Sequence, residues 1–296
     1  MFRPLTLFIG LRYTRAKRKK NFISFISFIS IGGIALGMMT MIVVLSVMNG
    51  FQNEVRQRNL AMAYDLSIRN SSPQGFVENW QQSYSEIKDN PNIIAAAPFN
   101  NGEGLMAANG QFFPVKIQGV DPDYESAVST ISDSMTTDFI SGADFTILEE
   151  GEFGTVLGSD LALNLGLNVG DYVTLITPKI QITAAGAIPR MKRLKVVGIF
   201  RLGAYEYDSV MALMNYKDSG RIYQIPKNSV SGFRLKLNDP MAARETAEQA
   251  KTKLGDEYST MTWIEEFKTL FKMIEIEKLT MFTIMSLIVA VAVFNV

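Results

Sequence analysis

From Phe22 to Met48 the chain runs for 27 residues without a charged side chain. A helix needs about 20 apolar residues to cross the hydrocarbon of a bilayer, so this run can span with some tilt. A cleavable signal peptide would carry an apolar core about half as long, ending in small residues. Here the run ends in Ser46-Val-Met-Asn-Gly-Phe51, which offers no convincing cleavage site. Residues 21–48 are therefore read as a membrane helix. Seven basic residues (Arg3, Arg12, Arg15, Lys17, Arg18, Lys19 and Lys20) and no acidic ones precede it. That asymmetry places residues 1–20 on the cytoplasmic side. They form either an amphipathic segment on the inner leaflet or a short solvated tail.

A second uncharged run, Leu279–Val296, covers 18 residues and ends without a polar flank. The expectation is a chain cut inside its second membrane helix, residues 279–296. Residues 49–261 then form an extracytoplasmic domain. All 29 acidic residues lie between the two apolar runs, together with 22 of the 29 basic ones, so the middle of the chain carries a net charge of −7. That balance speaks against nucleic acid as a partner. There is no cysteine and no histidine, which excludes disulfides, thiolate nucleophiles, Cys/His zinc sites and histidine acid–base chemistry. No Gly-x-x-x-x-Gly-Lys loop is present, so nucleotide hydrolysis has no home in this chain. The pair Glu149-Glu150 reads as a solvated surface pair rather than a catalytic one.

Within the domain, alternating or β-branched runs predict strands at 65–69, 113–120, 155–157, 172–177, 194–200, 210–214 and 232–237. Helices are expected at 76–89, 159–165 and 240–254, the last opened by Asp239-Pro240. The mixture predicts an α+β domain, in two lobes. Trp263, Phe267, Leu270, Phe271, Ile274, Lys278 and Met281 recur at steps of three and four. They predict a membrane-proximal helix over 262–278 that continues into the bilayer without a break.

One segment stands out as a candidate contact. Pro178 and Pro189 bound an apolar loop carrying Ile180, Ile182, Ala184, Ala185, Gly186, Ala187 and Ile188, followed at once by Arg190, Lys192 and Arg193. Apolar residues beside a cationic patch mark a partner site. The alternative is a hairpin folded back into the core, with its basic strand solvated. The residues alone do not choose between the two.

Leu7-Phe-Ile-Gly-Leu-Arg-Tyr13, Gly33-Ile-Ala-Leu-Gly37, Leu45-Ser-Val-Met-Asn-Gly-Phe51 and Ser286-Leu-Ile-Val-Ala-Val-Ala-Val-Phe-Asn295 resemble the LolC/LolE family, the membrane subunits of lipoprotein-releasing ABC transporters. Gly158-Ser-Asp-Leu-Ala-Leu-Asn-Leu-Gly-Leu-Asn-Val-Gly-Asp171 is similar to a signature shared with wider MacB-like permeases. The resemblance implies a MacB-like periplasmic domain, with a porter-like α/β lobe and a β-rich lobe, between membrane helices 1 and 2 of a set of four. It implies extraction of lipoproteins from the outer leaflet of the inner membrane and their transfer to a soluble carrier. The implied partners are a LolD-like ATPase that uses the ATP and Mg, a second LolC/LolE-type permease, a LolA-like periplasmic carrier, lipoprotein substrates and membrane lipids.

Under that resemblance, the loop Pro178–Pro189 would be the hook that engages the carrier, which favours a LolC-type or combined subunit. Arg190, Lys192 and Arg193 would be the neighbouring pad. Ala184-Ala185 at the tip and Met191 in the pad depart from the family's more polar pattern. Met41, Val44, Leu45, Met48 and Phe51, with Phe267, Phe271 and Ile274, would line the lipoprotein cavity, or serve ordinary helix packing. Methionine suits a site that accepts variable chains because it repacks easily. The rival readings are a MacB-like or FtsX-like mechanotransmitting protein and an exporter of small molecules.

Overall fold

The computed structural model describes residues 21–62, 64–71, 75–129, 131, 135–137, 140–141, 144–183 and 186–294. Helix α1 (Asn21–Met62) is followed by β1 (Leu66–Asn70), β2 (Val77–Glu78), α2 (Trp80–Ile87), β3 (Ile93–Ala108), β4 (Gln111–Val120) and α3 (Pro122–Glu125). Next come β5 (Met135–Thr137), β6 (Ile140–Ser141), a 3-10 turn at Phe145–Ile147, β7 (Gly154–Gly158), α4 (Ser159–Leu165), β8 (Tyr172–Thr183) and β9 (Gly186–Phe200). The chain continues through α5 (Tyr205–Asp208), β10 (Met211–Asn215), α6 (Tyr216–Tyr223), β11 (Ser229–Val230), β12 (Gly232–Leu237) and a 3-10 turn at Pro240–Ala242. It closes with α7 (Ala243–Leu254), β13 (Tyr258–Thr262), α8 (Trp263–Glu266) and α9 (Lys268–Phe294). Of the described residues, those within 58–266 make one compact unit, and those within 21–57 and 267–294 make another.

The globular unit is organised by one large mixed sheet in the order β13-β1-β12-β3-β4-β10-β7-β9-β5-β6, with β8 pairing both β3 and β9. Strand β3 is shared between its two halves. Its first part, Ile93–Phe99, pairs with β12, and its second, Phe99–Ala108, pairs with β4 and, at Leu105–Ala107, with β8. Around the first part, β1 and β12 bury Leu66, Ile68, Phe233 and Leu235. Helix α7 buries Ala243, Ala247, Ala250 and Leu254, a stripe at steps of four, three and four, and packs beside α2. The Trp80 ring meets Tyr124 edge-on at 5.3 Å and lies 6.3 Å from Phe233. Around the second part a separate core gathers Met106, Val115, Leu157, Leu161, Val173, Leu175, Leu194 and Met214.

Local chemistry explains several of these elements. Helix α4 buries Leu161, Ala162 and Leu165 and stops at Gly166, whose φ of 63° suits glycine. Leu167 N–H then bonds back to the Ala162 carbonyl, and Asn168 N–H is held by Asp171 Oδ2 at 2.7 Å. Gly158–Asp171 is therefore a helix with its stop signal and the turn into β8. Gly102 and Gly104 fall inside β3, where glycine normally weakens a strand. A Cβ on Gly102 would overlap the Tyr223 ring, and one on Gly104 would press on the Ile176 carbonyl.

In the helical unit, α1 holds a stretch at Ile31–Gly50 long and apolar enough to cross a membrane. The expected single helix from Thr262 is instead two pieces, Trp263–Glu266 and Lys268–Phe294, separated by a turn at Phe267. The first piece is fixed by side chains that face back: Thr262 N–H and its hydroxyl both bond Glu265 Oε2, and the Trp263 indole donates to the Pro240 carbonyl at 2.7 Å. The second piece runs unbroken past Lys278 into the apolar run.

Candidate partner-binding hairpin

Strands β8 and β9 pair from Tyr172↔Lys195 to Thr183↔Gly186, so the segment between the two prolines is a continuation of the ladder and not an irregular loop. Proline removes a backbone donor and belongs at edges and bulges. The register accordingly slips between Thr177 and Ile180, where Pro178 lies, and resumes at Ile180↔Pro189. Nearer the sheet, β8 also pairs β3, and β9 also pairs β7. Beyond Thr177 and Arg190 the described strands pair only with each other, so a two-stranded ribbon extends past the sheet. Two-stranded ribbons are marginal alone, and this one is anchored by the third and fourth strands at its base.

Along the ribbon Pro178, Gly186, Ile188 and Pro189 are exposed, with Ile188 at 40%. Gly186 has a φ of 116°, a conformation glycine adopts freely. The backbones of Ile180 and Ile182 are paired, and their side chains, with Ala184 and Ala185, lie outside the described residues.

The basic run does not form one face. Side chains alternate along a strand, so Arg190 and Lys192 point to one side of β9 while Met191, Arg193 and Lys195 point to the other. Lys192 Nζ sits 3.4 Å from the centre of the Phe153 ring, and the Arg193 guanidinium lies 3.9 Å from that of Tyr172. Both are cation–π contacts that hold the cation over an aromatic plate. The grouping of Arg190, Lys192 and Arg193 as one patch therefore gives way to a division set by the pleat.

On the Arg193 side, register places a row that sequence reasoning missed. Leu105 lies opposite Pro114 and Ile176, and Ile176 opposite Met191; Ala107 lies opposite Phe112 and Thr174, and Thr174 opposite Arg193. Leu105 (43%), Phe112 (62%), Tyr172 (50%) and Met191 (59%) are all exposed. Four adjacent strands thus show water an apolar field edged by Arg193 and Lys195. The signal was present in Phe112-Phe-Pro-Val115, which is apolar on both faces of its strand.

The membrane-helix candidates fall elsewhere. Met41, Val44 and Leu45 are half-buried and Met48 is buried on α1, while Ile274 is buried and Phe267 half-buried. The side chains of Phe51 and Phe271 lie outside the described residues. The stripe Gly37-Met41-Val44-Met48 is turned toward α9, since a Cβ on Gly37 would stand 3.1 Å from Val289 Cγ2. Lys278 Nζ donates to Asn49 Oδ1 at 2.6 Å one turn further along. Glu150 is a structural group too: it bonds Lys217 and Arg221 at 2.7 Å each, and Lys217 holds its carboxyl below the usual range. The buried carboxylate of Asp218 accepts the N–H groups of Gly151 and Phe153, fixing the same turn.

Comparison with known proteins is consistent with this architecture. Residues 27–253 match the model of the MacB-like periplasmic core domain. The lipoprotein-releasing system transmembrane protein LolC of Neisseria meningitidis is 39% identical over 98% of this chain and 68% of its own length. The protein of the same name from Xylella fastidiosa is 37% identical over the whole of this chain and 69% of its own length. The LolE protein of Haemophilus influenzae is 31% identical over 98% of this chain and 68% of its own. Among solved structures, the periplasmic region of MacB from Actinobacillus actinomycetemcomitans gives a TM-score of 0.44 at 14% identity, covering 72% of this chain and 94% of that one.

Proposed function

The chain belongs to the LolC/LolE family of transmembrane proteins of lipoprotein-releasing systems, and on that premise we propose how its parts serve release. It is a permease subunit of an ABC transporter that extracts lipoproteins from the membrane and hands them on to a periplasmic carrier. The transmembrane subunit performs no bond-making step; a LolD-like ATPase hydrolyses Mg-bound ATP and moves the membrane helices. The N-terminus lies in the cytoplasm and the globular unit in the periplasm, because seven cations precede the first span. A second LolC/LolE-type permease completes the lipoprotein path.

The β8–β9 ribbon is the docking element for a soluble LolA-like carrier. The observation that carries this reading is the ribbon's geometry: an extension that pairs with no third described strand, with Ile188 exposed, beside the open field of Leu105, Phe112 and Met191. A soluble domain gains nothing by presenting such a surface to water, and apolar centres with cationic rims are what interfaces use. Arg193 and Lys195 supply the rim, and Lys192 braces the base of the ribbon from the other side over Phe153. Photo-crosslinkers at Ile188 and Met191 should trap the carrier in cells, whereas one at Leu163, an exposed position on α4, should not. Equal adducts at all three positions, or none at Ile188 with carrier present, would remove the docking assignment.

A further inference from the structure

Tyr64 stands two residues beyond the end of α1, and Glu266 two residues before the start of α9. The strands inside them, β1 and β13, pair along their whole length from Leu66↔Thr262 to Asn70↔Tyr258. The segment leaving the first membrane helix and the segment approaching the second are thus neighbours in one sheet. Two further bonds tie them at the end of that ladder which joins α1 and α9 along the chain. Trp263 N–H donates to the Asp65 carbonyl at 3.2 Å, and the Tyr64 hydroxyl donates to Glu266 Oε2 at 2.9 Å.

The tyrosine is held from the sheet side. Its ring stacks on Phe99 with centroids 6.5 Å apart and planes 11° from parallel. The Arg234 guanidinium lies 5.7 Å from the Tyr64 ring and 5.3 Å from that of Phe99, and is itself ion-paired to buried Glu125 at 2.6 Å. Phe99 is the residue of β3 that pairs both β12 and β4. Strand β3 goes on to pair β8 at Leu105–Ala107, and β8 is one arm of the ribbon.

We propose that Tyr64 and Glu266 form a latch that fixes the approach to the second membrane helix against the exit from the first, so that movement of the helices reaches the ribbon-bearing sheet as one displacement. This rests on the reading of the chain as a transporter subunit. Tyr64 and Glu266 are positioning residues: neither touches substrate. Glu265 is excluded from the role because its carboxylate is folded back on Thr262. The turn at Phe267 gives the latch its purpose. A rigid helix through residues 262–278 would carry motion without help, whereas a joint at Phe267 transmits it only if the short α8 segment is held.

The test uses the assembled transporter in proteoliposomes, reading lipoprotein released per ATP hydrolysed. Tyr64→Phe removes the hydroxyl and keeps the ring stack; Glu266→Ala removes the acceptor. Each should lower release per ATP at least about threefold, the lower end of the range for a lost hydrogen bond, with ATP turnover unchanged and the melting temperature lowered by no more than about 4 °C. The double variant should be no worse than the poorer single one. Unchanged release in Tyr64→Phe, or losses that multiply, would overturn the latch. A second arm needs no transport. The chain has no cysteine, so nitroxides placed by Ser71→Cys and Lys268→Cys report the joint alone, and Tyr64→Phe should broaden their distance distribution. An unaltered distribution overturns the latch, while broadening in Tyr64→Phe beside a wild-type transporter that releases nothing overturns only the transport reading.

Discussion

Arg234 on β12 reaches Glu125 on α3 at 2.6 Å with both side chains buried, a charge pair placed inside the globular unit. Burial raises the Glu125 pKa and Arg234 draws it back. Glu125 Oε1 and Arg234 Nε find no hydrogen-bond partner among the described residues, so the pair is incompletely compensated. Such a pair contributes little net stability, yet leaving one member alone is expensive. Glu125→Gln should therefore lower unfolding free energy by about 3 kcal/mol, and Glu125→Leu with Arg234→Met should recover most of it. Urea titration of the three proteins checks this; a double variant as weak as the single one would contradict it.

Tyr207 gives a pH signature. Burial first, then the charges of Glu266 and Tyr64, raise its pKa from 10.0 to about 12. A phenol whose folded pKa exceeds its unfolded one contributes stability that is full below the unfolded value and is lost as pH rises through the folded one. The melting temperature of the wild-type protein should fall more steeply than that of Tyr207→Phe between about pH 10 and 12. Parallel curves would show that the phenol titrates normally.

Lys192 and Arg193 are neighbours with separate tasks. Arg193→Glu changes the rim of the exposed field and should weaken carrier binding at least about tenfold, with little effect on melting, because exposed charges add little to stability. Lys192→Met removes the cation over Phe153 and should cost about 0.5–1 kcal/mol of stability while affecting the carrier less. Carrier titration by fluorescence, beside thermal melts, separates the two. Equal binding losses would mean that the run acts as one patch after all.

Gly102 should tolerate no side chain while Tyr223 is present. Gly102→Ala forces a methyl into the ring and should cost about 2 kcal/mol, a typical overpacking penalty. The same change in a Tyr223→Leu background should cost less than half as much. Denaturation midpoints give the answer, and an additive result would place the strain elsewhere.

Much of this fold was legible because its signals are local. The uncharged run gave α1, the strand at Gly232–Leu237 falls where its alternation predicted, and Ser159–Leu165 with Gly166 announces its own end. Strand β3 was missed for a physical reason. Ala95-Ala-Ala-Pro-Phe-Asn-Asn-Gly-Glu-Gly104 has almost no intrinsic β-preference, and its glycines answer to Tyr223 and β8, which lie far along the chain. At the candidate site the prolines were visible, yet they read as loop boundaries because a bulge that absorbs Pro178 has no local signature. The basic run was visible too, but which cation faces which side depends on register. Leu105, Phe112 and Met191 come from three strands and meet only once those strands are paired.

The pairing of β1 also bears on how the protein is made. Leu237 N–H bonds Asp65 Oδ2 across 172 residues of sequence, and β13, the other neighbour of β1, is synthesised later still. Strand β1 is therefore made first and waits, its edges unfilled, while the strands of the ribbon follow. Contacts of such separation form slowly and leave strand edges open to wrong partners in the interval. The sheet closes only when β13 arrives, a few residues ahead of α9, so completion of the domain coincides with the synthesis of that helix.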